Sequence, residues 1–280
     1  MNKQGKIGKL DMKNETSANA DGMGEGMFPL ERQQKIIELL TIRKVMKITE
    51  LTDELKISVD TLRRDLNILT DQGRIEKIYG GVKLAESRFG ESSMDERMVS
   101  HLEEKDRIAR KCSEFVLEGD CIYIDSGSTT YQIAKYVKHR KKLTVVTNSL
   151  PVAMELMDSD VELIMIGGKI RREEQSVVAY EYIFNFHELN VQKAFICCSG
   201  ITIERGISDY NLEEAITRKK MIELSKEVYV MADSTKFGKD VTVSIASLDK
   251  IDCIVTDSNV NRSFIPKFKK TDTELVIAEL

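Results

Sequence analysis

The chain has 280 residues, 41% hydrophobic and 31% charged, a balance that suits a folded globular protein and a length beyond one domain of usual size. No stretch approaches the roughly 18 uninterrupted apolar residues of a membrane span, and the first residues have charges and glycines but lack the apolar core of a secretory signal. A net charge of −4 excludes a protein whose whole surface grips nucleic acid.

These features predict a cytoplasmic protein with no membrane partner. The five cysteines (Cys112, Cys121, Cys197, Cys198, Cys253) lie among apolar residues without a C-x-x-C pair, and His101, His139 and His187 are scattered. The expectation is buried reduced thiols, no metal site and no cofactor. Charge is unevenly placed: residues 29–84 hold 11 Lys+Arg against 9 Asp+Glu, whereas residues 85–280 hold 27 against 33. One basic N-terminal module that meets DNA fits this distribution.

Residues 1–28 show neither helical nor strand period and are expected to be a disordered extension, with Met27 as an alternative translation start. A DNA-binding domain is placed at 29–84, with a helix-turn-helix at about 46–65. Ile36, Ile37, Leu39 and Leu40 give a first helical stripe, and Ile48, Leu51 and Leu55 a second. Ser58 is a good N-cap for a third helix ending at Gly73, in which Leu62, Leu66 and Leu69 face a core. The outer face then presents Asp60, Thr61, Arg64 and Asn67 with Arg63 at its shoulder, donors suited to a major groove. The bland alternative is a solvated helix face with an Asp60–Arg64 ion pair. RIEKIYGGVKL, with its Gly80-Gly81 turn, predicts a two-stranded wing whose Arg74, Lys77 and Lys83 could reach phosphate.

Residues 85–105 are polar with little period and are expected to be a linker; 106–262 read as a second domain and 263–280 as a C-terminal segment. CIYID, LTVVT, VELIMI, KAFICC, VYVMA and DCIVT are short apolar β-rich runs, with helical segments such as TYQIAKYV and EEAITRKKMIEL between them. The fold class is therefore an α+β winged helix-turn-helix followed by an α/β domain with a largely parallel sheet. In such sheets ligands bind beyond the carboxyl ends of strands. Those ends carry Asp125-Ser126-Gly127-Ser128-Thr129-Thr130, Asn148 within a T-N-S turn, Gly167-Gly168, Gly200, and Asp233 with Lys236. Small hydroxyl-rich turns opening helices suit an anion, although any one of them is also an ordinary helix cap. Lys219 and Lys236 are the candidate cations.

The motifs S-x-x-T-L-R-R-D-L (Ser58 to Leu66) and Tyr79-Gly80-Gly81 resemble the DNA-binding domain of the DeoR/GlpR bacterial regulators. The resemblance implies DNA contacts from Ser58, Val59, Asp60, Thr61, Arg63, Arg64, Asn67, Lys77, Tyr79, Gly80 and Gly81. Tyr79 stands where the family usually has His, and Asp60 puts an acid on the groove-facing helix. D-S-G-S-T, T-N-S, G-G, the RKK helix and D-S-T-K-F-G extend the likeness to the family's sensor domain, similar in fold to ribose-5-phosphate isomerase and glucosamine-6-phosphate deaminase. It implies a phosphorylated sugar as effector. Ala179 departs from the family's usual Gly.

The reading is a sequence-specific repressor of a carbohydrate transport or catabolism operon, binding double-stranded operator DNA as a homodimer or homotetramer and controlled by a sugar phosphate. No catalytic residue is assigned. The alternative is a sugar-phosphate isomerase or deaminase with an accessory DNA-binding domain, using Asp125, Asp233 and Lys236.

Overall fold

The computed structural model describes residues 27–84, 93–178 and 190–279. The expectations for residues 1–26 and for Ala179 lie outside these. The N-terminal unit consists of α1 (Pro29–Arg43), β1 (Val45–Lys47), α2 (Ile48–Leu55), α3 (Val59–Asp71), β2 (Ile75–Ile78) and β3 (Gly81–Leu84). Pro29 opens α1 where its missing N–H costs nothing, and Glu31 accepts from the Phe28 amide (3.2 Å). The three predicted stripes converge: Ile36, Ile37 and Leu40 of α1, Leu51 of α2, and Leu62, Leu66 and Leu69 of α3 are all 0–1% exposed. Ser58 caps α3 through the Thr61 amide (3.1 Å), and Gly73 follows it at φ +72°.

The wing corrects one expectation. It has three strands in the order β1-β3-β2, not two. Val45–Lys47 is too short to read as a strand from its pattern, yet it pairs with Lys83–Gly81. Gly81 permits this, because a Cβ there would stand 2.5 Å from the Met46 carbonyl oxygen.

Of the polar stretch 85–105, read as linker, residues 85–92 lie outside the described residues and 93–105 are mostly helical. They form α4 (Met94–Val99), capped by Ser93, and the first turn of α5 (Leu102–Ser113). Met94 is fully buried, and α4 packs between α1 and α6 (Ser128–Val137). A single buried residue in six carries no periodicity to detect.

The remaining elements are β4 (Cys121–Ile124), β5 (Thr144–Thr147), α7 (Leu150–Leu156), β6 (Glu162–Met165), β7 (Lys169–Arg171), β8 (Ser176–Val178), β9 (Val191–Ile196), β10 (Gly200–Thr202), β11 (Gly206–Asp209), α8 (Leu212–Leu224), β12 (Ser225–Met231), β13 (Val243–Ala246), β14 (Cys253–Asp257), α9 (Ile265–Phe268) and β15 (Glu274–Ala278). All six predicted apolar runs enter one parallel sheet, ordered β15-β14-β12-β9-β4-β5-β6. Its seventh strand, β15, comes from the segment left outside the predicted domain. One face packs Ile108, Cys112, Ile133 and Val152 from α5, α6 and α7; the other packs Ala215 and Met221 of α8 with Phe268 of α9. The chain leaves β4 in one direction through β5 and β6 and resumes at β9 on β4's other side. The crevice between the carboxyl ends of β4 and β9 is the switch point at which such sheets hold ligands.

Candidate functional site

At this switch point β4 runs into Asp125 and Ser126, β9 runs into Cys197 and Cys198, and α8 lays Arg218 across both. The Arg218 guanidinium is 3% exposed. Its Nε donates to Asp125 Oδ2 (2.6 Å), its Nη1 to Asp209 Oδ2 (2.7 Å) and its Nη2 to the Ser126 carbonyl (3.3 Å). Burial pulls the guanidinium down, but the Asp125, Asp209 and Glu214 carboxylates outweigh it and hold Arg218 protonated. Glu214, one turn before Arg218, accepts from Ser176 Oγ (2.5 Å), Arg171 Nη1 (3.0 Å) and Ser126 Oγ (3.2 Å). Burial pushes its carboxyl up even against Arg218. Cys197 donates its amide to Asp125 Oδ2 (3.1 Å), and burial pushes its thiol well up, so it is no ready nucleophile.

Arg218, Asp209, Glu214 and Cys197 line an inner pocket of about 30 Å³ together with Ser126-Gly127-Ser128-Thr129 at the start of α6, Arg97 of α4, Glu174 of the β7–β8 turn and Lys236. Gly127 is required there, since a Cβ would meet Cys197 Sγ at 2.5 Å. Arg97, Ser128, Ser199 and Lys236 also line an outer cleft of about 360 Å³, whose far wall is Thr41 and Lys44 of the N-terminal unit. Its floor is Lys105, 2% exposed, which donates to the carbonyls of Ser100 (2.7 Å) and Arg97. Burial brings this ammonium down to about 8, with Asp233 opposing. Asp233 is itself pushed up by burial but ends below its ordinary range through the Thr235 hydrogen bond and the charges of Lys236 and Lys105.

Of the predicted effector residues, Ser126, Gly127, Ser128, Thr129 and Lys236 thus meet at the inner pocket and Asp233 at the outer cleft. Asp125, Thr130 and Asn148 stand behind them as supports: Thr130 Oγ1 donates to the Asp125 carbonyl (2.7 Å), and Asn148 Nδ2 to Ser126 Oγ (3.3 Å) while Tyr123 donates to its Oδ1 (2.8 Å). Gly167 and Gly168 lie in the β6–β7 connection and line neither cavity, and Gly200 packs on the Lys239 carbonyl. Lys219 is exposed and lines a groove with Lys226 and Asp249 elsewhere on the domain. Its neighbour Arg218, unassigned from sequence, is the most deeply buried of the cations that line the inner pocket. The signal was present, because Arg218 shares the inward stripe of Ala215 and Ile222, where a charged residue needs buried partners. Arg97, Arg171, Glu174, Asp209 and Glu214 were also missed.

In the N-terminal unit Asp60, Arg63, Arg64 and Asn67 are exposed along α3, with Ser58 and Val59 at its start and Thr61 partly covered. Asp60 pairs with Arg63 at 3.6 Å, not with Arg64. Lys77 Nζ of the wing donates to Asn67 Oδ1 (2.5 Å), and Tyr79 stands fully exposed beside Gly80 at the wing tip. Gly81 is buried against β1, and Arg74 is held by Asp95 (2.5 Å), so neither faces outward with them. Asp65, within the R-R-D motif, is 2% exposed and ties α3 to α1 through Arg32 Nε (2.5 Å) and Gln33 Nε2 (3.2 Å).

Among the described residues no helix is long and apolar enough to cross a membrane, and no His, Cys, Asp and Glu cluster could hold a metal ion. Residues 32–88 match the model of the DeoR-like helix-turn-helix domain, and residues 100–258 that of the DeoR C terminal sensor domain. The HTH-type transcriptional regulator GolR of Listeria innocua is 31% identical over 90% of this chain and 100% of its own length. IolR of Bacillus subtilis is 34% identical over 84% and 94%, and a putative aga operon transcriptional repressor of Escherichia coli O157:H7 is 28% identical over 93% and 98%. The ribose 5-phosphate isomerase A of Methanocaldococcus jannaschii overlays 49% of this chain and 55% of its own, with a TM-score of 0.38 at 16% identity, too loosely to carry a functional step. Two domain models in tandem and relatives matched over 94–100% of their length place this chain in the DeoR family of DNA-binding transcriptional regulators.

Proposed function

We propose that this regulator represses a carbohydrate operon from the cytoplasm, and that a phosphorylated sugar seated between the inner pocket and the outer cleft controls it. The observation that carries this reading is the juxtaposition of the Ser126–Thr129 turn, opening a ten-residue helix, with Lys236 and Arg97. Amides and a positive helix end suit a phosphate. Behind them a ring of buried carboxylates suits hydroxyl donors. The inner pocket alone is about the volume of one water, so a ligand of that class would extend into the outer cleft. The relative named as an operon repressor supports the sign of control.

The same geometry favours binding over turnover. The carboxylates in and behind the inner pocket are engaged, Asp125 and Asp209 by Arg218, Glu214 by Arg171 and Ser176, and Glu174 by Arg97, and Asp233 of the outer cleft accepts from Thr235. Acids held in this way act as fixed acceptors, unlike the base with which an isomerase or deaminase moves a proton. A thermal-shift screen of pentose and hexose phosphates, followed by a turnover assay on each binder, tests both halves. Stabilisation without conversion is expected; conversion of any binder would replace this reading by the enzymatic one. Lys236→Ala should abolish the stabilisation while leaving DNA binding intact.

For DNA, the face Asp60, Arg63, Arg64 and Asn67 enters the major groove and Lys77 with Tyr79 follows the backbone. Arg64→Ala should weaken binding to a fragment selected from a random pool by about 1–3 kcal/mol and relax preference at one base position if it reads an edge, or weaken all sequences alike if it grips phosphate. Unchanged gel-shift affinity would remove it from the interface. A head with so small a basic surplus needs a second copy on a repeated half-site, so the DNA-bound species is a homodimer or homotetramer.

A further inference from the structure

We infer that α4 is the element through which pocket occupancy reaches the DNA-binding head, and that the Arg97–Glu174 pair is where occupancy is read. Three consecutive side chains of this one helix hold three different parts of the molecule. Asp95 accepts from Arg74 Nε of the head (2.5 Å) and from Gln175 Nε2 of the β7–β8 turn (3.2 Å). Glu96 accepts from Lys44 Nζ at the end of α1 (2.7 Å). Arg97 donates to Glu174 in the same β7–β8 turn and lines both cavities.

A six-residue helix has too few internal hydrogen bonds to hold its own place, so these contacts, with buried Met94, set where α4 sits. Its C-terminal carbonyls are held by Lys105, which also lines the outer cleft. The Arg74–Asp95 and Arg97–Glu174 side chains are only 10–21% exposed, and ion pairs so covered are sensitive to loss of a partner. A dianionic phosphate at the cavity mouth competes with Glu174 for Arg97 and with the α4 carbonyls for Lys105. As both let go, α4 is held on the sensor side only by Met94 and the Asp95–Gln175 contact, and Asp95 and Glu96 shift their register with Arg74 and Lys44. The head's docking then depends on whether the pocket is filled, which is the differential affinity that coupling requires.

This inference rests on the proposed ligand class only for what fills the pocket; the relay itself is testable without ligand. Full-length wild type, Glu174→Gln, Arg74→Gln and the double variant are compared for affinity to the pool-selected DNA fragment. The cycle cancels any direct contact Arg74 makes with phosphate. Independent sites combine to within about twofold, whereas the relay predicts a departure of more than about threefold. The exchanged pair Arg97→Glu with Glu174→Arg should restore wild-type affinity where Glu174→Gln changes it, which separates the latch from misfolding. Additive single effects, or an exchanged pair no better than Glu174→Gln, would overturn the relay even if a sugar phosphate regulates the protein. A coupled cycle in a protein that answers to no sugar phosphate would leave the relay standing and remove the ligand assignment.

Discussion

Arg218→Met is expected to cost the α/β domain about 3–5 kcal/mol, the penalty for removing one partner of a buried ion pair, and to lower its melting temperature by roughly 6–20 °C. The side chain is 3% exposed and satisfies Asp125 and Asp209 directly, with Glu214 at 3.8 Å. Methionine fills much of the volume but leaves Asp125 and Asp209 without their cation and Glu214 with Arg171 alone. The loss should depend on pH in a definite direction. Burial already lifts the Glu214 carboxyl, and the Arg218 charge is the largest influence holding it back; without that charge it rises further. A carboxyl raised in the folded state stabilises below its unfolded value and loses that contribution as pH climbs through the folded one. The deficit is therefore largest near neutrality and shrinks as the medium is acidified toward the ordinary carboxylate range. Thermal melts of both proteins at neutral and mildly acidic pH measure this; an equal deficit at both would show that the Arg218 charge is not what matters.

Asp65→Ala should be as damaging, in the other domain. Asp65 is 2% exposed and takes Arg32 and Gln33 of α1. Its removal strands a covered guanidinium at about 3–5 kcal/mol, which is comparable to the entire stability a core of under 70–80 residues supplies. The head should unfold, and affinity for DNA should vanish while the melting of the α/β domain stays where it was. Asp65→Asn, which can still accept from Arg32, should retain part of the binding. Full affinity in Asp65→Ala would mean that packing of Leu62, Leu66 and Leu69 alone holds α3 on α1.

Local pattern made much of this fold legible. The α3 stripe and its Ser58 cap are spacing and chemistry within a dozen residues, and six of the seven parallel strands are apolar runs that a doubly covered sheet demands. β15 was missed because Glu274–Ala278 is an edge strand, partly exposed and short of neighbours to bury. β1 has three residues and shows itself only through its pairing with Gly81–Lys83. The lining of the candidate pocket was legible where it is made of turns, in Ser126–Thr129 and Lys236. It was illegible where it is made of pairs: Arg97 and Glu174 are separated by 77 positions, and Arg218 and Asp125 by 93. No window of sequence contains both partners. Lys219, the cation proposed from sequence, and Arg218, which lines the pocket, differ by one position, which turns a side chain about 100° around the helix, from the sheet to solvent.

The long separation of Asp125 from Arg218 has a kinetic consequence. The pocket joins Ser126 after β4, Asp209 at the end of β11 and Arg218 on α8, so no fragment ending before α8 contains the cation that ties its two strand ends together. Contacts closing loops this long are made late, after the entropy of bringing distant chain segments together has been met. Ligand recognition should accordingly appear in a single step with the last phase of refolding and vanish at the same denaturant concentration as the parallel sheet. A newly made chain would have a folded DNA-binding head, built from contacts within 29–84, for some interval before it had anything with which to sense.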